Sequence, residues 1–181
     1  MNEMGKKYSV LSGMGPDRTG IARSISQSVF NAGCSIDDSR MVKLGGEFAI
    51  LALISGDESA VDRFSSGLGE LETETGLSLS LRPTGAPPTG SAEPALAYRI
   101  HVVGMDRLGV VFRVTNLLVR HGINIGSLET ESHHAPVTGT PLFRMDLVAE
   151  VPASVPVGTL REDLALLCDE MNMDFSLEAV Q

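Results

Sequence analysis

Two short stretches of this 181-residue chain carry the groups needed to hold a small zwitterion. They are Asp17-Arg18-Thr19-Gly20 and Asp106-Arg107-Leu108-Gly109, and each leads into apolar residues at helical spacing. A helix start leaves backbone N–H groups unpaired and carries a partial positive charge. A carboxylate placed there gains charge-assisted hydrogen bonds, worth about 0.3–1 kcal/mol when exposed and up to about 2 kcal/mol when partly buried. Gly20 and Gly109 let a ligand or a neighbouring chain approach the backbone closely. The carboxylates of Asp17 and Asp106 are placed to accept hydrogen bonds from an ammonium. Amide donors for a carboxylate beside an acceptor for an amine suit a free amino acid. The same residues also read as plain caps, the commoner use of Asp at a helix start. Duplication does not separate the two readings, because a cap is copied as readily as a site.

The elements that must hold these stretches repeat in register. Asp17 to Asp106, Gly20 to Gly109, Gly33 to Gly122 and Ile36 to Ile125 all lie 89 positions apart. Four landmarks on one step imply two copies of one module. Phe48 matches Phe143 only at a step of 95, so the second copy has gained six residues, placed in the loop His133–Thr140.

In the first copy, Tyr8–Gly13 reads as a strand, and Ile21, Ala22, Ile25 and Val29 mark a helix that Gly33 ends in the left-handed conformation. Ser35–Leu44 is a polar strand, Gly45-Gly46 a hairpin turn, and Phe48–Ile54 a buried strand. Val61, Phe64, Leu68 and Leu71 mark one further helix, opened by the capping-box variant Ser59-Ala60-Val61-Asp62, and Leu77–Leu81 is the closing strand. The second copy repeats the order. Its strands are Arg99–Val103, Ile123–Ser132, Leu142–Val151 and Phe175–Val180. One helix shows Val110, Val111, Val114, Leu117 and Leu118, and the other Leu160, Leu164, Leu167 and Met171 behind the capping box Thr159-Leu160-Arg161-Glu162. The Pro- and Gly-rich residues 83–95 read as a linker without regular structure, between a first module at 1–82 and a second at 96–181. Each module is βαββαβ. Two right-handed crossovers onto one antiparallel sheet give a ferredoxin-like α+β layer with both helices on one face.

Composition narrows the function. The net charge is −9, and acidic residues outnumber basic ones in both copies. Neither copy supplies the basic face that phosphate neutralisation needs, which disfavours direct nucleic-acid binding. No apolar run reaches the ~18 residues of a membrane helix. Met1–Lys7 contains no hydrophobic stretch, so no signal peptide is expected. Cys34 and Cys168 read as core residues in a reducing cytoplasm. His133 and His134 are adjacent and would face opposite sides of a strand, His121 sits at a helix end, and His101 faces away from its apolar neighbours. No metal or cofactor is expected from them. Glu70, Glu72 and Glu74 read as a solvated helix end, and the methionines as core filler. There is no nucleophile elbow, phosphate loop or pair of catalytic acids, so no enzyme is expected.

The sequence of strand, Asp-Arg-x-Gly, helix, Gly-Ile-Asn-Ile, hairpin, helix and strand resembles the ACT domain, a small regulatory module that commonly binds amino acids. Met105–Gly109 and Gly122–Ile125 carry the likeness most clearly, while the first copy has Ser35 where the second has Asn124. In tandem, with the longer second loop, the chain is similar to the glycine cleavage system transcriptional repressor family. The resemblance implies a ligand, such as glycine or serine, held jointly by the turn before the first helix and the start of the second strand, usually between two modules. Carried over, the site residues are Asp17, Arg18, Thr19, Gly20 and Ser35, and Asp106, Arg107, Leu108, Gly109 and Asn124. The resemblance further implies a transcriptional activator or a metabolic enzyme as protein partner, and a homodimer is expected. A constitutive interaction module without ligand, or a regulatory part of an amino-acid or one-carbon metabolic enzyme, is the alternative.

Overall fold

The computed structural model describes residues 5–87, 95–134 and 139–180. The chain forms two compact units, Met1–Pro88 and Thr89–Gln181. The first contains β1 (Lys7–Pro16), α1 (Ile21–Asn31), β2 (Ser35–Leu44), β3 (Glu47–Gly56), α2 (Glu58–Ser66), α3 (Leu68–Thr75) and β4 (Ser78–Thr84). The second contains β5 (Ala95–Met105), α4 (Val110–Arg120), β6 (Asn124–His134), β7 (Pro141–Pro152), α5 (Val157–Met171) and β8 (Met173–Ala179). The sheets run β2-β3-β1-β4 and β6-β7-β5-β8, antiparallel throughout. These are two ferredoxin-like α+β modules, as the alternation of strand and helix patterns predicts.

Period-2 and period-3.6 apolar spacing meet in each core. In the first module Leu11, Ile50, Ala52 and Ile54 of the sheet pack with Ile21, Ile25, Val29 and Phe64 of the helices. In the second, Ile100, Val102, Met145 and Leu147 pack with Val114, Leu118, Leu160 and Leu164. Both β2 and β6 carry a bulge at the same repeat position, between Ile36 and Asp38 and between Ile125 and Ser127. The Gly45-Gly46 turn connects Leu44 to Glu47 with both glycines at positive φ, matching the twist a two-residue hairpin needs.

Several local expectations are corrected. Ala22 and Leu51 are exposed rather than buried, because α1 and β3 each turn one face to solvent. The expected single helix over Val61–Leu71 is two, α2 and α3, meeting at Gly67. Its cap is Asp57, whose side chain accepts from the Ala60 N–H at 2.7 Å, while Ser59 donates to Asp57 instead of capping. Thr159 lies inside α5, which starts at Val157 without a side-chain cap. Glu72 and Glu74 are not merely solvated: Glu72 accepts from the Leu79 N–H at 2.7 Å and Glu74 from the Ser24 hydroxyl at 2.6 Å. β4 continues through Arg82 and Pro83 to Thr84, since proline is tolerated on an edge strand. β6 likewise includes His133 and His134, which the sequence reading put in the loop. Residues 88–94 of the expected linker and 135–138 of that loop lie outside the described residues. Met145, Met171 and Met173 are core, but Met14, Met41 and Met105 are exposed. No described helix is long and apolar enough to cross a membrane.

Candidate functional site

Each Asp-Arg-x-Gly stretch forms the turn from the first strand of its module into the first helix. The Asp17 N–H donates to the Gly46 carbonyl at 2.9 Å, and the Asp106 N–H to the Pro141 carbonyl at 3.0 Å. These bonds pin each aspartate beside its hairpin end. Gly20 then turns at φ 100 and Gly109 at φ 87, where L side chains are strained. Added Cβ atoms at these glycines would meet nothing within 4 Å, so backbone conformation, not crowding by the protein, demands glycine. Neither α1 nor α4 has a side-chain cap. The cap reading of Asp17 and Asp106 is thereby overturned, and the first-turn amides are left without a side-chain acceptor.

The arginines stay exposed but reach to the end of the module's last helix. Arg18 Nη2 donates to the Glu74 carbonyl at 2.7 Å and lies over Gly76, where an added Cβ would stand 3.1 Å from the same nitrogen. Arg107 Nη1 donates to the Met171 carbonyl at 3.2 Å. Both carbonyls sit at the carboxyl end of the module's last helix, where a cation offsets the partial negative charge. In both copies this arginine clamps the turn to the end of α3 or α5.

The aspartates differ. Asp17 is paired with Lys43 of β2 at 2.5 Å, its side chain 27% exposed. Asp106 is exposed and has no ion-pair or hydrogen-bond partner for its carboxylate among the described residues. Lys43 stands opposite Phe48, and Ser132 stands opposite Phe143, so the second module has a serine where the first has the lysine. A cavity of about 320 Å³ lies beside the first turn, lined by Arg18, Thr19, Gly20, Arg23, Ser24 and Glu74. That is within the range of small-molecule sites, ~300–1,000 Å³. Leu108, the counterpart of Thr19, is fully exposed.

Ser35 and Asn124 stand far from these turns. Ser35 is opposite Ser55, which is opposite Tyr8 near the start of β1, whereas Asp17 follows Pro16 at its end. Over the nine residues from Tyr8 to Asp17, at ~3.4 Å per residue, the separation along the strand is roughly 31 Å. The same holds for Asn124, opposite Glu150 and then Ala97, while Asp106 follows Met105. Asn124 Nδ2 donates to Glu150 Oε2 at 2.8 Å. Within one module the two halves of each predicted residue set are not brought together.

Lys43 and Arg23 belong to the neighbourhood of the first turn and escaped the sequence reading, as did Glu74's place there, since Glu74 was read only as part of a solvated helix end. Lys43 is two positions before a hairpin glycine, an ordinary place for a solvated lysine. Among the described residues no cluster of His, Cys, Asp and Glu suits a metal ion. His101 Nδ1 and Asp146 Oδ1 lie 2.8 Å apart on the outer sheet face, and His121 Nε2 and Asp163 Oδ2 are 2.8 Å apart between α4 and α5. Burial raises the pKa of Cys34, and that of Cys168 to about 11, so both thiols stay protonated core groups.

Comparison with known proteins matches residues 7–82 and 98–163 separately to the ACT domain. The glycine cleavage system transcriptional repressor of Escherichia coli (strain K12) is 29% identical over 173 residues, covering 96% of this chain and 90% of that protein. A crystal structure of a protein from Galdieria sulphuraria of unknown function shares 30% identity with a TM-score of 0.80, covering 97% of this chain and 99% of the other. A further crystal structure, provisionally assigned as a glycine cleavage system transcriptional repressor, shares 26% identity with a TM-score of 0.73, covering 97% and 98%. With the duplicated turn, the repeated bulge and both sheet orders accounted for, the chain belongs to the ACT-domain family and carries two such domains in tandem.

Proposed function

We propose that this chain is a non-enzymatic, amino-acid-responsive regulatory protein of the cytoplasm, acting on transcription through contact with another protein. The observation that carries the reading is the pair of uncapped helix starts, each with an aspartate pinned beside it. Amides there suit a carboxylate, and Asp106 suits an ammonium. Similarity to a glycine cleavage system transcriptional repressor over nearly the whole chain supports glycine, or the related serine, as ligand. The acidic surface favours a protein partner over direct contact with nucleic acid. Ser35 and Asn124 enter the site only where the strand start of one module meets the turn of another. A ligand that binds one such arrangement better than another shifts the population between them, and with it the partner engaged.

Thermal unfolding of the full chain with a panel of amino acids tests this. A ligand at ~100 times its dissociation constant adds about 2.7 kcal/mol. A raised Tm with glycine or serine, lost in Asp106→Ala, is the expected result. No shift with any amino acid sinks the reading and leaves a constitutive interaction module.

A further inference from the structure

The strand starts that carry Ser35 and Asn124 follow one plan with exchanged residues. Each sits at a bulge, and a bulge re-aims a side chain. In the first module the bulge residue is Asp37, and the residue opposite Ser35 is Ser55. In the second the bulge residue is Gly126, and the residue opposite Asn124 is Glu150. Asp37 and Gly126 lie 89 positions apart, and Ser55 and Glu150 lie 95 apart, the two steps of the repeat. One carboxylate is thus kept at the bulge but comes from the other strand. A Cβ added to Gly126 would stand 3.4 Å from Glu150 Oε1, so the glutamate lies over the glycine.

The two carboxylates are used differently. Asp37 accepts from the buried Ser55 hydroxyl at 2.8 Å and pairs with Lys6 at 3.3 Å, and neither contact involves Ser35. Glu150 has no ion-pair partner among the described residues. Its Oε2 accepts from Asn124 Nδ2 at 2.8 Å. An ionised carboxylate only accepts hydrogen bonds, so the end of the Asn124 amide that meets it is the NH2 group. The Asn124 carbonyl Oδ1 is left with no donor among the described residues. That oxygen is an acceptor beside a negative charge that no cation offsets. Such a pair attracts an ammonium and repels a carboxylate. In the first module Lys6 offsets the charge, and Ser35 is not held.

We propose that Glu150 is a positioning residue, holding Asn124 so that the strand start of the second module reads the ammonium end of the ligand. The proposal rests on the amino-acid reading above, in which the helix-start amides take the carboxylate. Calorimetric titration of the full chain tests it, with glycine, serine and glycolate as probes. Glycolate keeps the carboxylate of glycine and has a hydroxyl in place of the ammonium. The wild type is expected to prefer the amino acids. Glu150→Gln leaves Asn124 free to turn over, and should weaken amino-acid binding by about tenfold or more. It should also narrow the preference over glycolate, whereas a merely structural loss weakens all three probes alike. Asp37→Asn is expected to leave binding and preference unchanged. The side-chain amide NMR signals of Asn124, identified by their loss in Asn124→Ser, should shift in Glu150→Gln without any ligand. Glu150, Asn124 and Asp37 are all exposed, and circular dichroism checks that each variant is folded. A wild type that binds neither glycine nor serine overturns the ligand reading and this proposal with it. A wild type that binds them but takes glycolate equally well overturns this proposal alone. So does an undiminished preference in Glu150→Gln, or equal sensitivity to Asp37→Asn.

Discussion

Arg18 reaches across its module to the Glu74 carbonyl, 2.7 Å away, and Arg107 makes the same reach to Met171 at 3.2 Å. The motif arginine is a strut between the turn and the end of the last helix. Arg18→Ala and Arg107→Ala should each cost about 0.5–1.5 kcal/mol, one charged hydrogen bond to a helix end that is open to water. Urea unfolding measures this. Wild-type stability in both variants would remove the strut from the account.

Lys43 occupies Asp17 as a ligand's ammonium would. A surface pair of this kind, with its lysine in water and its aspartate half-buried, contributes only ~0–1 kcal/mol. Lys43→Ala is therefore expected to leave the melting temperature nearly unchanged while freeing the first turn. Calorimetric titration with glycine should then show a higher binding stoichiometry per chain than in the wild type. Equal stoichiometry would mean that Lys43 does not compete.

The turn glycines make a prediction of opposite sign from a helical one. Gly20→Ala and Gly109→Ala force a side chain into the left-handed region and should each destabilise by about 1–2 kcal/mol. Gly69→Ala, within α3 and with nothing near the added Cβ, should stabilise by about 0.5–1 kcal/mol. Thermal unfolding decides all three, and a stabilised Gly109→Ala would contradict the φ argument.

The Asp57 cap gives a pH dependence with a definite sign. Its backbone bond from Ala60, then the Ser59 hydroxyl, holds the carboxyl below the usual carboxylate range. A group whose folded pKa is lowered contributes stability above its unfolded value, about 4, and loses it as pH falls through the folded value. The melting temperature should therefore fall with acid below about pH 4. Asp57→Asn, which still caps but does not titrate, should flatten that part of the profile. An identical acid limb in the variant would assign it to other carboxylates.

The module order, the strands and most of the helical faces were legible because burial repeats with the period of the element. Ile21, Ile25 and Val29, or Phe143, Met145 and Leu147, show their shared face in spacing alone. The break at Gly67 was not legible, since a lone glycine in a helical pattern is more often absorbed than obeyed. Nor was the Asp57 cap, because the capping-box variant Ser59-Ala60-Val61-Asp62, with Asp in place of Glu, drew the helix start two positions too late.

At the turns, the residues themselves announced two matching bends, and their glycines announced the left-handed backbone. What each bend could still bind was decided elsewhere. Lys43 lies on β2, and it meets Asp17 only because the hairpin end folds back beside the close of β1. Glu74 and Met171 receive the arginines only because α3 and α5 end at the same corner of the sheet. Local spacing determines which face of an element is apolar, since that depends on nearest neighbours along the chain. Which carboxylate is left unpaired depends on groups brought together from distant positions, and only the packed fold sets those distances.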